Sequence, residues 1–505
     1  MHGRGAWRAP VVAFLLLRCA AVSLAQTVDE QRAHATPSAL NRARALLEAG
    51  RLREREKDFP AAAAAYTEAI EHAPRMAEAH DRLGFVLGQQ GRTRDALLQF
   101  EQAVHLDPAL FDAQYHLGAT RWWTRDFAGA LPALQAAVAL RPDHAEARYY
   151  LGLTLQSRGQ LEPAIEQLRV AVRLNPRLAV TRARLGTALE AFGDLDGAIT
   201  QLEAAVRIDP SAADARNSLG LALSHAGRGD EAALVLHALV TAQPSYLPAR
   251  LNLGTVLMQQ GNLAGAVTAY RALIALDPAN AEAFYNLGLA LKQQDDFAAA
   301  EVALRRAAEI DRALPEAPFT LGVLLWQTGR ADEAAPQFRD ALARRPDYAD
   351  AHYMLGTVLK QQGALGDAVS HRVLDEAVSH FRQSIAYRPE SAEAHRSLGQ
   401  TLKQQGQDQA AAAELAEAAR LQQKLADAQA STFAVSVGLQ KLKAGNRTGA
   451  IERFREAIRL APENPQAHYQ LALALQRAGA RAEAAIHFGE ARRLAPYLRP
   501  PADKP

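Results

Sequence analysis

The chain has 505 residues, with 57 Lys+Arg against 55 Asp+Glu, one Cys, 49% apolar and only 6% aromatic residues. The charge balance removes any electrostatic case for binding nucleic acid or an anionic membrane surface. A single Cys excludes a disulfide framework and every multi-thiolate metal site, and the interior must be built from Ala, Leu and Val.

Residues 1–25 read as a secretory signal. Arg4 and Arg8 precede the apolar run from Val11 to Leu17, and Ser23-Leu24-Ala25 supplies the small residues of a cleavage site. Arg18 stands before Cys19, where a lipoprotein signal would need a small residue. The run is far shorter than the ~20 residues of a spanning helix, so no membrane span is expected. Losing Arg4, Arg8 and Arg18 leaves 54 basic against 55 acidic residues, net −1, and no Cys. That composition fits an exported protein, periplasmic or secreted. Residues 26–42 are expected to be a flexible N-terminal segment.

From Ala43 onward the sequence repeats. Prolines 74, 108, 142, 176, 210, 244 and 278 stand 34 apart; Arg312 takes the next place, and Pro346, Pro462 and Pro496 resume the series. Glycines recur with the same period at 84, 118, 152, 186, 220, 254, 288, 322 and 356, and again at 91, 159, 193, 227, 261, 329, 363, 406, 445 and 479. A third column is Ala62, Ala96, Ala130, Ala164, Ala198, Ala232, Ala266, Ala300 and Ala334. A fixed period of this size signals stacked units, not a globule. Within each unit the apolar residues recur at three- and four-residue spacing, so each half is an amphipathic helix. The later Gly ends the first helix in a φ > 0 conformation, and the Pro stops the second. The small residues at positions 8 and 20 let the two helices approach closely.

The consensus AEAxYxLGxxLxxxG followed by xxxxAxxxFxxAIxxxP resembles the tetratricopeptide repeat (TPR). The resemblance implies an all-α solenoid, about thirteen helical hairpins in a right-handed superhelix. The units begin at Ala43, Ala77, Phe111, Ala145, Ala179, Ala213, Leu247, Ala281, Pro315, Ala349, Ala392, Ser431 and Pro465. Units 1–11 span 43–425 and units 12–13 span 431–498, leaving 499–505 as a tail.

Two irregularities interrupt the period. Ala368-Val369-Ser370-His371 is duplicated as Ala377-Val378-Ser379-His380, and only the second copy places Phe381 and Ile385 on core positions. Nine extra residues turn a helix by half a turn beyond two full ones, so residues 364–375 are expected to bulge or add a protruding turn. Gln423 then replaces the stopping Pro, which predicts a helix running on toward Ala430. Residues 426–430 become a linker or helix extension, with a change of path.

In TPR proteins the first-helix face usually takes peptides, so the resemblance implies a protein or peptide ligand. Positions 2, 5, 9 and 12 share that face. One patch is Tyr115, Trp122, Trp123 and Tyr149; the other is Tyr285, Lys292, Phe319, Trp326, Tyr353, Lys360 and Lys403. Aromatics anchor interfaces, and the lysine row suits a carboxylate or acidic peptide. First helices also contact one another here, so part of the aromatic set is expected to be core between units. The position-2 acids, such as Glu146 and Asp350, read as first-turn charges favoured by the helix dipole.

No catalytic motif stands in the chain. His80, His352, His395 and His468 share position 4, a helix-contact place, and neither a metal nor a cofactor is expected. Asn446-Arg447-Thr448 matches a glycosylation sequon in an inter-helix turn. The leading reading is a non-enzymatic interaction scaffold. The alternative is a regulatory or substrate-recruiting subunit of an enzyme or polysaccharide-export complex, such as the partner of a glycosyltransferase. The last hairpin has no capping helix, so Ile486, Phe488 and Leu494 are expected to meet a partner or a second copy.

Overall fold

A computed structural model of the chain describes residues 36–363, 368–495 and 498. The predicted signal, residues 26–35 and the tail 499–505 lie outside the described residues. Among those described, all regular structure is helical, 25 helices without a strand. None is long and apolar enough to cross a membrane. The chain divides into two compact bodies, one ending at Ala269 and the other beginning at Tyr270.

Each unit pairs a first helix, typically of 13 residues, with a second of 14, as in Ala145–Ser157 with Leu161–Leu174. The turn between them is written at two adjacent positions. Position 15 is left-handed: nine glycines there have φ from 74° to 93°, and Lys57, Arg125 and Asp295 adopt the same conformation where Gly is missing. Position 16 then caps the second helix, with Asp58, Asp126, Asp194, Asp296 and Asn446 accepting the N–H three residues on. Gly363 departs from the pattern, with φ −76°, because the chain leads there into the insert.

The glycine at position 8 does more than allow close approach. The space it leaves is filled by the large side chain at position 24: a Cβ on Gly186 would lie 2.6 Å from Leu202 Cγ, and one on Gly322 2.7 Å from Phe338 Cε1. Leu134, Leu168, Leu202, Leu236, Leu304, Phe338, Phe381 and Phe454, all at that position, are fully buried.

A second lock joins eight of the units to the turn before them. The position-4 side chain bonds the carbonyl of the proline six residues earlier. His80 meets Pro74 O at 3.1 Å, Arg148 meets Pro142 O at 2.6 Å, and His352 meets Pro346 O at 2.9 Å. The same side chain then reaches position 23, as in His80 with Gln99, Arg182 with Gln201 and His395 with Glu414. Unit 9, like unit 12, has neither part, since position 4 is Pro318 and Arg312 stands where the proline would be. There Arg344 donates instead to the carbonyls of Ala308, Asp311 and Leu314 at 3.0–3.2 Å and to Asp340 at 2.7 Å.

Two of these locks are histidine pairs, His352 with His380 and His468 with His487, with Nδ1 atoms 2.9 and 3.0 Å apart. His352 Nε2 must carry its proton to donate to Pro346 O, so its Nδ1 accepts and His380 Nδ1 donates. A second charge on the pair would point two N–H groups at each other. Burial first, then the neighbouring His352, lowers the pKa of His380, while Glu376 opposes and Arg339 adds to the shift. A histidine with a depressed folded pKa contributes stability that is present above its unfolded value, near 6.5, and is lost as pH falls through the folded one. We therefore expect Tm to fall between pH 7.5 and 5. His380→Gln, which supplies the partner seen at Gln99, should flatten that fall; an unchanged slope would show that the pair does not titrate.

The irregular segments differ from the sequence expectations in detail. Thr36 caps a helix that begins at Pro37, so residues 37–42 of the segment expected to be flexible are helical; Thr-Pro is itself a helix-start signature. In unit 10 the second helix runs from Ala368 to Tyr387, twenty residues against the usual fourteen. The insert therefore lengthens its N-terminal end, Arg372 stays exposed, and Leu374, Ala377, Val378 and Phe381 form the buried side. Residues 364–367 lie outside the described chain.

The segment 426–430 is a helix extension, as one of the two expectations had it, but the helix does not stop near Ala430. One 36-residue helix, Asp408–Lys443, joins the second helix of unit 11 to the first of unit 12, because no Gly or Pro occurs between Asp408 and Val437. Unit 12 is not built to stack on unit 11. Lys441 replaces the buried leucine of position 11 (Leu291, Leu325, Leu359, Leu402), and Phe433, 71% exposed, replaces the buried alanine of position 3 (Ala283, Ala317, Ala351, Ala394). A cleft of about 850 Å³ opens beside this bare helix, between Arg420–Thr432 and Leu460–Pro465. At the C-terminal edge Ile486 is 66% exposed, but Phe488 is buried against Tyr469 and Leu494 is half-buried. The face expected to meet a partner there is correspondingly smaller.

Candidate ligand-binding face

Within each body most first helices touch the first helix of the next unit, whereas second helices make no comparable contact among the described residues. Cross-unit hydrogen bonds follow a rule. Position 5 bonds position 6 of the next unit, as in Asp81 with His116 and Asn217 with Asn252, both at 2.8 Å. Position 12 bonds position 13 of the next, as in Glu190 with His225, Ser224 with Gln259 and Trp326 with Gln361 at 2.8, 3.0 and 3.3 Å. Two columns read from the sequence as ligand-facing thus also stitch the array together.

In the first body the four predicted aromatics separate. Trp122 is half-buried among Ala130, Leu134, Leu151, Leu155 and Ala164, so it fills the junction between units 3 and 4. Its indole Nε1 is buried and has no hydrogen-bond partner among the described residues. Trp123 is 68% exposed and donates Nε1 to the Tyr150 hydroxyl at 3.2 Å. Tyr115 is half-buried, stacks on Phe111 and donates to Glu146 at 2.9 Å. Burial, then the adjacent Glu146 carboxylate, hold its hydroxyl far above the usual phenol range, so it remains a donor. Tyr149 is half-buried against Tyr150; burial raises its pKa, and the nearby Arg184 opposes the shift.

Beyond Arg184 lies a feature that the aromatic columns do not mark, a pocket of about 250 Å³ on the first-helix face of units 5 and 6. Val180, Ala183, Arg184, Thr187, Asp214 and Ser218 line it. Its cause is an absence: position 5 is Ala183, where units 3 and 4 carry Tyr115 and Tyr149. Val180 at position 2, where most units place an acid, is 46% exposed on its wall. An apolar residue in an acidic column beside a small one in an aromatic column was the available signal.

In the second body Phe319 rests on Phe338 and Tyr348, with ring centroids 5.9 and 4.8 Å apart, and Tyr353 lies 6.0 Å from Phe381. Both are anchored in their own hairpins and show only part of their surface to the face. Tyr285 and Trp326 are half-buried. Lys360 Nζ donates to Gln400 Oε1 at 2.7 Å, Lys292 is half-buried, and Lys403 is exposed. Among the described residues no three His, Cys, Asp or Glu side chains gather as a metal site requires.

Family descriptions of the tetratricopeptide repeat match residues 120–179, 184–246, 281–314, 319–371 and 367–426, and one of the TPR repeat matches 254–295 and 438–479. The matches run from residue 120 to residue 479 with only short gaps, on the same hairpins that the structure shows. The chain belongs to the TPR family. No curated protein matches it in sequence. Solved structures similar to part of this TPR chain include MamA, 25% identical over 34% of this chain and 96% of that one, with TM-score 0.31. A second is YrrB, a TPR protein with an unusual peptide-binding site, 26% identical over 37% and 96%, with TM-score 0.35. A third is MamA from Desulfovibrio magneticus RS-1, 27% identical over 34% and 97%, with TM-score 0.32. A TPR array is a protein-interaction scaffold.

Proposed function

We propose that this TPR protein is an exported, non-catalytic scaffold that binds an extended polypeptide along its first-helix face. The observation that supports this most is a continuous stripe in the first body. Exposed Trp123 bonds Tyr150, Tyr150 contacts Tyr149, and Tyr149 lies near Arg184, which stands on the wall of the 250 Å³ pocket. Aromatic surface leading to an open, partly apolar recess with a few polar groups is what an anchoring side chain and its flanking backbone need. The position-4 histidines, by contrast, are occupied in inter-unit locks.

A photo-crosslinking residue at Val180 should capture a polypeptide in the native compartment, and Ala183→Trp, which fills the recess, should abolish capture. The same probe at Leu234, on a second helix and 72% exposed, should capture nothing specific. Equal labelling at both positions would sink the groove reading. For export, intact mass should show a mature chain beginning at Gln26; retention of residues 1–25 would exclude it.

A further inference from the structure

The second body carries a charge pattern that bears on what the groove holds. Three of the chain's eight lysines stand at one position of the repeat, position 12 of units 8, 10 and 11: Lys292, Lys360 and Lys403. Elsewhere this chain takes its positive charge almost wholly from arginine, and those arginines are frequently consumed inside the array, as Arg330 is by Glu301 and Glu333 and Arg344 is by three carbonyls. The three lysines are not. Among the described residues the only lysine ion pair is Lys424 with Glu390.

Lys292 is half-buried and has no hydrogen-bond partner among the described residues, and Lys360 meets only the neutral Gln400. For both, burial alone holds the ammonium below the usual lysine range, with no carboxylate to oppose it. The acids of the same helices do not serve, because they sit at position 2, ten residues and about 15 Å away along the helix. Asp350 is moreover already neutralised by Arg388 at 2.5 Å, as is Glu316, on the helix of Trp326, by Arg345 at 3.0 Å. A chain of near-zero net charge therefore keeps one local row of unanswered cations on its first-helix face.

We propose that this row receives an acidic stretch of extended polypeptide, its carboxylates meeting Lys292 and Lys360 with Trp326 between them. The proposal rests on the groove reading and adds the chemistry of the ligand. Neighbouring first helices lie about 8–10 Å apart, so Lys292 and Lys360, two units apart, are separated by roughly 16–20 Å. At about 3.3 Å per residue an extended chain crosses that distance in five or six residues. Lys403 offers a third contact one unit further. A polypeptide fits better than an acidic polysaccharide: a sugar ring needs an open aromatic face, while Phe319 and Tyr353 turn toward Phe338, Tyr348 and Phe381.

Fluorescence anisotropy of the full chain with a labelled decaglutamate peptide, at low and at physiological salt, tests this. Decaglutamate should bind, more weakly as salt rises, and decaglutamine should not. Lys292→Gln with Lys360→Gln removes both charges from half-buried places without opening a core cavity, and should weaken binding about tenfold or more. Lys441→Gln, outside the row, should leave it unchanged. Equal binding of the two peptides, an unaffected double variant, or binding of alginate in place of decaglutamate would each overturn the proposal. If decaglutamate fails while the Val180 probe still captures a polypeptide, the groove stands and its acid preference falls; if the reverse holds, the first-body groove falls and the lysine row stands.

Discussion

Arg344→Ala is expected to cost about 3 kcal/mol, out of proportion to a single arginine in the last turn of a helix. An ion pair or hydrogen bond at a solvated surface contributes well under 1 kcal/mol. Arg344 is different because its side chain is 12% exposed and its guanidinium holds three carbonyls of one turn as well as Asp340. A hydrogen bond to a charged group contributes about 1.5–3 kcal/mol, and losing this fork strips the Asp311–Leu314 turn of the donor that replaces the usual position-4 side chain. The loss should appear in urea unfolding and, by hydrogen exchange, as opening concentrated at residues 308–320. Arg344→Lys should rescue little, since an ammonium cannot span three acceptors in a planar fork. A lysine variant as stable as the parent would show that the charge alone matters.

The second large effect is a coupling. Leu202→Ala removes a fully buried side chain and should destabilise by about 3 kcal/mol. Gly186→Ala has two opposed consequences. Alanine is a better helix former by about 1 kcal/mol, but its Cβ would sit 2.6 Å from Leu202 Cγ and 3.2 Å from the carbonyl oxygen of Ala198. Overpacking of that kind costs about 1–3 kcal/mol, so the clash should win by up to about 2 kcal/mol. With Leu202 already shortened, the added methyl enters vacated space. The double variant should therefore be no less stable than Leu202→Ala alone, a favourable coupling of about 1–2 kcal/mol. Simple additivity in a double-mutant cycle would refute the view that position 8 exists to seat position 24.

How much of this was legible in the sequence depends on whether a feature repeats. The hairpins, the turn glycines and the buried alanine column were readable because each recurs at a fixed place and has one physical cause. Lys57, Arg125 and Asp295 were not, since the left-handed turn there is imposed by its neighbours on residues that do not prefer it. Trp122 reads as a groove aromatic beside Trp123, but adjacent residues on a helix point about 100° apart, and the tertiary neighbours alone put one of them inside. The columns at positions 12 and 13 gave the composition of the face but not the pairing between units. That pairing decides which side chains remain unengaged: Trp326 is bonded to Gln361, and Lys292 is not. The break before unit 12 was written in Lys441 and Phe433, residues that a search for similarity passes over as noise.

The uninterrupted helix from Asp408 to Lys443 has a mechanical consequence. At 1.5 Å per residue it is a rod of about 54 Å, and its stretch from Gln422 to Ala430 has no buried residue. The terminal pair of hairpins is thus mounted on a spindle whose azimuth is counted in amino acids. Inserting one residue in that stretch would swing everything after it by about 100°, and inserting seven would bring it nearly back to its bearing, about 10 Å further out.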